Sequence, residues 1–220
     1  MTRILYLHGF ASGPSSHKAL FFRERLERAG ARVDVLDLAA GDFERLTITS
    51  QLAVIERAAA GDPVSLAGSS MGGYLAALYA ARHPEVPRVA LLAPAFAFAR
   101  LWAESLGAAR VEQWRREGSM DVFHYGEGRE RRLGYQLLED AARYEDCPAL
   151  LQPTIVFHGA HDDVVPPRSS QEFAASRPNV RLEILDSGHD LLNVLDYMAP
   201  RIAAFLLPVG QASWPGTATA

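Results

Sequence analysis

Six short apolar runs alternate along this chain with stretches of helical spacing, and that alternation limits the possible folds more than any other feature. The runs are Arg3–His8, Arg32–Leu38, Pro63–Ala67, Arg88–Ala93, Thr154–His158 and Arg181–Leu185. A strand with one face in water alternates apolar and polar residues, whereas a strand covered on both faces reads as one continuous apolar block. Helical spacing follows over Ser16–Ala29, with Gly30 as a stop, over Phe43–Ala60, over Met71–Arg82 before Pro84, and over Leu191–Leu206. Parallel strands joined by right-handed helical crossovers satisfy this pattern. The expected fold class is therefore α/β: a doubly wound sheet of six mostly parallel strands in the order 2-1-3-4-5-6, with helices on both faces.

One interval breaks the rhythm. From Ala95 to Pro153 there is far more chain than a crossover needs, including Trp102, Trp114, the run Arg129-Glu130-Arg131-Arg132 and a helical pattern at Tyr135–Tyr144. Structureless loops of that length are rare in compact domains. Residues 95–153 are therefore read as an inserted cap over the strand ends, partly helical, with a small hairpin at Asp121–Leu133. Residues 1–207 read as a single domain. The stretch 208–220, made largely of Pro, Gly, Ser, Thr and Ala, reads as a disordered tail.

Composition narrows the partners. Apolar residues make up 49% and charged residues 22% of 220, enough for a core without metal or disulfide support. A net charge of −4 gives no reason to expect nucleic acid or an anionic membrane surface. Cys147 is the one cysteine, so no internal disulfide is expected, and it reads as a buried or half-buried spectator. The run Ile4–Leu7 is too short for a signal segment, and no stretch reaches the roughly 20 apolar residues of a membrane span. A cytoplasmic location is the resulting expectation; the oligomeric state stays open.

The chemistry concentrates at the strand ends. Gly68-Ser69-Ser70-Met71-Gly72 matches G-x-S-x-G between an apolar run and a helical one, the setting of a nucleophile on a tight strand-to-helix turn. A serine hydroxyl needs an adjacent base. Ser187-Gly188-His189 follows the sixth run, which makes His189 the candidate base, in the chain order Ser, Asp, His. The acid should follow the fifth run, where Asp162 and Asp163 stand side by side; Asp162 fits an H-G-x-x-D-x-x-V-P pattern and is preferred over Asp163. His158 and His161 could be read as metal ligands, but no Cys or Glu cluster accompanies them, and no metal is expected. Backbone amides of Phe10, after the first strand, and Met71, after the nucleophile, are the expected oxyanion-hole donors. Phe10, Phe96, Phe98, Leu101 and Trp102 are expected to line the substrate pocket, beyond the carboxyl ends of the strands. Ser15-Ser16-His17-Lys18 fits S-x-x-K, but the companion motifs of penicillin-binding proteins are absent. Lys18 reads either as a support for the oxyanion loop or as a solvated helix residue.

Leu7-His8-Gly9-Phe10, Ser12-Gly13-Pro14-Ser15-Ser16-His17-Lys18-Ala19, Gly68–Tyr74 and Ser187-Gly188-His189 together resemble the small bacterial YqiA-type esterases of the α/β-hydrolase superfamily. The likeness runs from Ile4 to about Leu206, and the stretch through Ala19 is what points to the subgroup. It implies a carboxylesterase acting on small-molecule acyl esters without a cofactor. The 95–153 insert is longer than a minimal member carries, and in outline the chain is also similar to capped mitochondrial thioesterases. A thioesterase or peptidase would use the same three residues, so these remain alternatives, with a non-catalytic binding protein of the same fold as the reading from another class.

Overall fold

In a computed structural model, which describes residues 1–207, the apolar runs form a six-stranded sheet. Its strands are β1 (Arg3–Leu7), β2 (Arg32–Val35), β3 (Ser65–Ser69), β4 (Val89–Leu92), β7 (Thr154–Gly159) and β8 (Val180–Leu185). They are parallel throughout and lie in the order β2-β1-β3-β4-β7-β8. With the separate hairpin β5 (Ser119–His124) and β6 (Arg129–Gly134) set aside, this is the order 2-1-3-4-5-6. The expected tail, 208–220, lies outside the described residues.

The continuous apolar blocks are explained by two cores. Successive strand residues point to opposite faces. Leu5, Leu7, Leu66, Leu91 and Val156 enter one core, while Ile4, Tyr6, Ala67, Leu92 and Phe157 enter the other. The first is covered by α2 (Ile48–Ala59), α3 (Met71–Arg82) and α7 (Pro167–Ala175), the second by α1 (His17–Arg28) and α8 (Leu195–Leu206). β8 departs from the continuous pattern because it is an edge strand: Arg181 is exposed and pairs with Glu183 at 2.6 Å.

Several boundaries differ from the sequence expectation. The helix expected over Phe43–Ala60 starts at Ile48, because Thr47 and Ser50 form a reciprocal cap. The Thr47 Oγ1 accepts from the Ser50 amide at 2.9 Å, and the Ser50 Oγ accepts from the Thr47 amide at 3.0 Å. Phe43 and Leu46 are buried ahead of that cap, which gives the preceding loop a helix-like apolar spacing. The last helix is preceded by a 3-10 turn at Leu192–Val194. Helix α7 is not among those read from the sequence. Cys147 is exposed rather than buried, since it lies in the loop that follows the insert's last helix.

The 95–153 interval contains α4 (Phe98–Leu106), α5 (Ala108–Glu117), the β5–β6 hairpin and α6 (Gln136–Ala141). It is organised around Trp114, which is 1% exposed, donates its indole N–H to the Leu133 carbonyl at 3.0 Å and packs edge-on against Trp102 and Tyr135. The Arg129–Arg132 run lies on β6, where Arg129 and Arg131 both pair with Glu127. Among the described residues no helix is long and apolar enough to cross a membrane.

Candidate active site

The turn from β3 into α3 places Ser70 in a conformation that residues with side chains rarely adopt, φ 54° and ψ −119°. Such strain persists only where the surroundings impose it. Here the Ser70 amide donates to the Leu92 carbonyl at 2.8 Å, and the Ser70 carbonyl accepts from the Tyr74 and Ala95 amides, each at 3.0 Å. Close backbone passage requires the flanking glycines: a Cβ on Gly68 would strike the Gly72 carbonyl, and one on Gly72 would strike the Leu7 and His8 carbonyls.

Two loops bring the remaining groups to the same sheet edge. His189, after β8, has Nε2 3.0 Å from the Ser70 Oγ and Nδ1 2.7 Å from the Asp162 Oδ2. Since the ionised carboxylate can only accept, the imidazole proton sits on Nδ1 and leaves Nε2 free to accept from the serine hydroxyl. Asp162, after β7, also accepts from the Val164 and Val165 amides at 2.9 and 2.8 Å through Oδ1. Asp163 is exposed, so of the two adjacent carboxylates the structure brings Asp162 to the histidine.

His158, which the sequence offers only as a metal ligand, supports that carboxylate. His158 is fully buried; its Nε2 lies 3.0 Å from the Asp162 Oδ2 and 2.9 Å from the Val165 carbonyl, both acceptors, so Nε2 carries the proton. Its Nδ1 then accepts from the Ser170 hydroxyl at 2.7 Å. The i,i+4 spacing of His158 and Asp162 around the β7 end was the signal available in the sequence. His161 is exposed and bonds to Asp186 instead. Burial by itself would raise the Asp162 pKa, but the hydrogen bonds from His158, His189 and the Val165 amide outweigh it and hold the carboxyl well below the usual range.

The sign of the resulting linkage is fixed. The unfolded chain binds the Asp162 proton more readily than the native one, so this group's contribution to stability is complete above about pH 4 and is lost as the pH falls through its lower native value. Urea denaturation at a series of acidic pH values should therefore show a steeper loss of stability in the wild type than in Asp162→Asn. Parallel curves would contradict the depressed carboxyl.

The Phe10 and Met71 amides have no hydrogen-bond partner among the described residues. The loop carrying Phe10 passes close to Ser70: a Cβ on Gly9 would sit 3.5 Å from the Ser70 Cβ. His8 pins this loop, its Nε2 accepting from the Leu38 amide at 3.4 Å and its Nδ1 donating to the Gly9 carbonyl at 2.9 Å. Burial holds the His8 pKa below its usual value, which keeps the ring neutral and able to accept.

Two cavities meet at Ser70. The smaller, about 160 Å³, is lined by all five residues expected there, Phe10, Phe96, Phe98, Leu101 and Trp102, and by Met71. The larger, about 810 Å³ and open to solvent, is lined by His189, Lys18 and the hairpin. A still larger hollow of about 1000 Å³ between α5 and the hairpin contains neither Ser70 nor a histidine, so size alone does not mark the site.

A family model described as an uncharacterised protein family, UPF0227, matches residues 3–207. No curated protein sequence matches the chain. Among solved structures, the chain is similar to mouse alpha/beta hydrolase domain-containing protein 10, at 19% identity over 91% of this chain and 87% of that one, with a TM-score of 0.76. It is similar to Est1E from Butyrivibrio proteoclasticus, solved with ferulic acid bound, at 21% identity over 94% and 88%, with a TM-score of 0.78. It is also similar to the monoacylglycerol lipase of Paleococcus ferrophilus, at 15% identity over 93% of each chain, with a TM-score of 0.74. At these identities the likeness establishes the α/β-hydrolase fold.

Proposed function

The chain belongs to the UPF0227 family, and from the Ser70–His189–Asp162 geometry we propose that it is a serine hydrolase cleaving carboxylic esters of small or medium acyl chains through an acyl-enzyme intermediate. The observation that carries this reading is the unbroken hydrogen-bonded path from the Ser70 Oγ through the imidazole to a buried carboxylate, 3.0 and 2.7 Å at its two links.

Each step follows from an atom already placed. The Ser70 Oγ attacks the ester carbonyl carbon while its proton passes to the His189 Nε2. Asp162 keeps the imidazole in the required tautomer and stabilises the cation that forms. The Phe10 and Met71 amides, free of other partners, receive the tetrahedral oxygen. Collapse expels the alcohol, which takes the proton from Nε2. Water then gives a proton back to His189 and attacks the acyl-enzyme, releasing the acid and restoring the serine. The 160 Å³ cavity beside Met71 suits the acyl chain, with Phe98, Leu101 and Trp102 supplied by the 95–153 insert acting as a cap. Of the structurally similar proteins, one is named a monoacylglycerol lipase and another, Est1E, was solved with ferulic acid bound, in keeping with this choice.

A fluorophosphonate probe, which captures an activated serine, tests the reading directly. Wild-type protein should label and Ser70→Ala should not. An unlabelled wild type would favour a non-catalytic binding protein of the same fold, and equal labelling of the two would place the reactive residue elsewhere than Ser70.

A further inference from the structure

The two cavities at Ser70 differ in chemistry as well as in size. His189 lines the larger one and not the smaller; Met71 lines the smaller one and not the larger. In acyl transfer the imidazole that takes the serine proton delivers it to the departing atom. The leaving group therefore belongs in the larger cavity, where His189 is open, and the acyl chain in the smaller.

Three hydrogen-bond donors on that leaving-group side have no partner among the described residues. Tyr6 is 1% exposed, and its hydroxyl is buried without a hydrogen bond. Ser69, buried beside the nucleophile, makes no side-chain hydrogen bond. Lys18, in the first turn of α1, makes neither an ion pair nor a hydrogen bond. All three line the cavity that holds Ser70 and His189. Buried polar groups are nearly always satisfied, so an orphaned phenol lining the same cavity as an unpaired ammonium calls for an acceptor from outside the chain. Burial lowers the Lys18 pKa to about 8, opposed by the fields of Asp190 and Asp162, so the side chain is still mainly cationic at neutral pH. Burial also keeps the Tyr6 phenol protonated, hence a donor. The other charges of this cavity are placed differently. Arg110, Asp121 and Glu130 belong to the insert, and the Asp190 carboxylate accepts from the Leu192 amide.

We infer that Lys18, Tyr6 and Ser69 form an anion-binding subsite for the leaving group, so that the preferred substrates are esters whose alcohol portion carries a carboxylate or a phosphate. This rests on the ester-hydrolase reading above and sharpens it: the acyl pocket is small and apolar, and the selective contacts lie on the alcohol side.

Three aryl butyrates of matched shape test the assignment: the meta-carboxyphenyl, meta-phosphonophenyl and meta-carbamoylphenyl esters, the last being neutral. Each kcat/KM is divided by the ester's rate in hydroxide, which removes leaving-group electronics. Wild-type protein should favour at least one of the two anionic esters over the neutral one by about tenfold or more, and whichever is faster identifies the anion. That preference should shrink as ionic strength rises. In Lys18→Met it should collapse to within about twofold, a ratio that cancels any general loss of competence. A wild-type ratio near one, a ratio unaffected by salt, or a preference retained in Lys18→Met would overturn the subsite. Failure of the wild type to cleave any of the three esters would instead overturn the hydrolase reading on which it rests.

Discussion

Ser70→Ala and His189→Ala should each lower kcat/KM on nitrophenyl butyrate by roughly 10³-fold or more, with the far-UV circular dichroism of the wild type retained. The size of the effect follows from the geometry. Without the His189 imidazole, nothing within 3.0 Å of the Ser70 Oγ in the triad can take its proton, and a neutral hydroxyl attacks an ester poorly. The two losses should not add, because in the proposed mechanism serine and imidazole act as one unit. The double variant Ser70→Ala/His189→Ala should thus be about as slow as either single one. Whatever rate survives should come from the Phe10 and Met71 amides and from binding, neither of which these changes touch. If either single variant kept activity within about tenfold of wild type, the nucleophile–base assignment would be wrong.

Gly72→Ala should be the most damaging conservative change outside the reacting groups, costing about 3 kcal/mol of stability or preventing recovery of folded protein altogether. The added methyl would meet the Leu7 and His8 carbonyls, which belong to the central strand β1 and the loop behind it and cannot swing aside as a flexible side chain could. β1 is bonded to β2 on one side and β3 on the other, so relief of the clash would have to shift the sheet or the start of α3. Gly13→Ala makes a matched control, since a methyl there meets nothing within 4 Å among the described residues. Its urea midpoint should stay close to wild type or rise slightly, as a loss of unfolded-state freedom would produce. A Gly72→Ala midpoint equal to that of wild type would mean that the β3–α3 turn is looser than described. The same crowding bears on the proposed nucleophile: the contacts that exclude a methyl at Gly72 are part of what holds Ser70 in its strained conformation.

How much of this was legible beforehand depended on the range of the interaction. Burial leaves a periodic trace in the sequence, and so the six strands and the helices α1, α3 and α8 could be read from apolar spacing, while the strand order followed from the doubly wound class. Apolar spacing misplaces the start of α2, because Phe43 and Leu46 are buried from a loop and imitate helical periodicity. Helix α7 leaves no such trace: only Ser170 and Phe173 along it are buried, too sparse an apolar stripe to stand out. The insert was visible as surplus length, with its hairpin placed to within about two residues. Its organisation around Trp114 was not, because that depends on the tryptophan meeting the Leu133 carbonyl across the hairpin.

The sequence by itself determined the alternation of strand and helix, hence a parallel sheet covered on both faces, and it marked Ser70, His189 and Asp162 as residues that chain order would carry to one edge of that sheet. Local spacing is sufficient for this, since each strand must bury both faces and each motif sits at a strand's carboxyl end. Tertiary structure alone decided how the Asp162 carboxylate meets the imidazole, that His158 and Ser170 stand behind that carboxylate, and that two cavities of different chemistry meet at Ser70. These depend on the directions that loop backbones give to side chains from separate strands, a matter of ångströms that no one-dimensional pattern encodes.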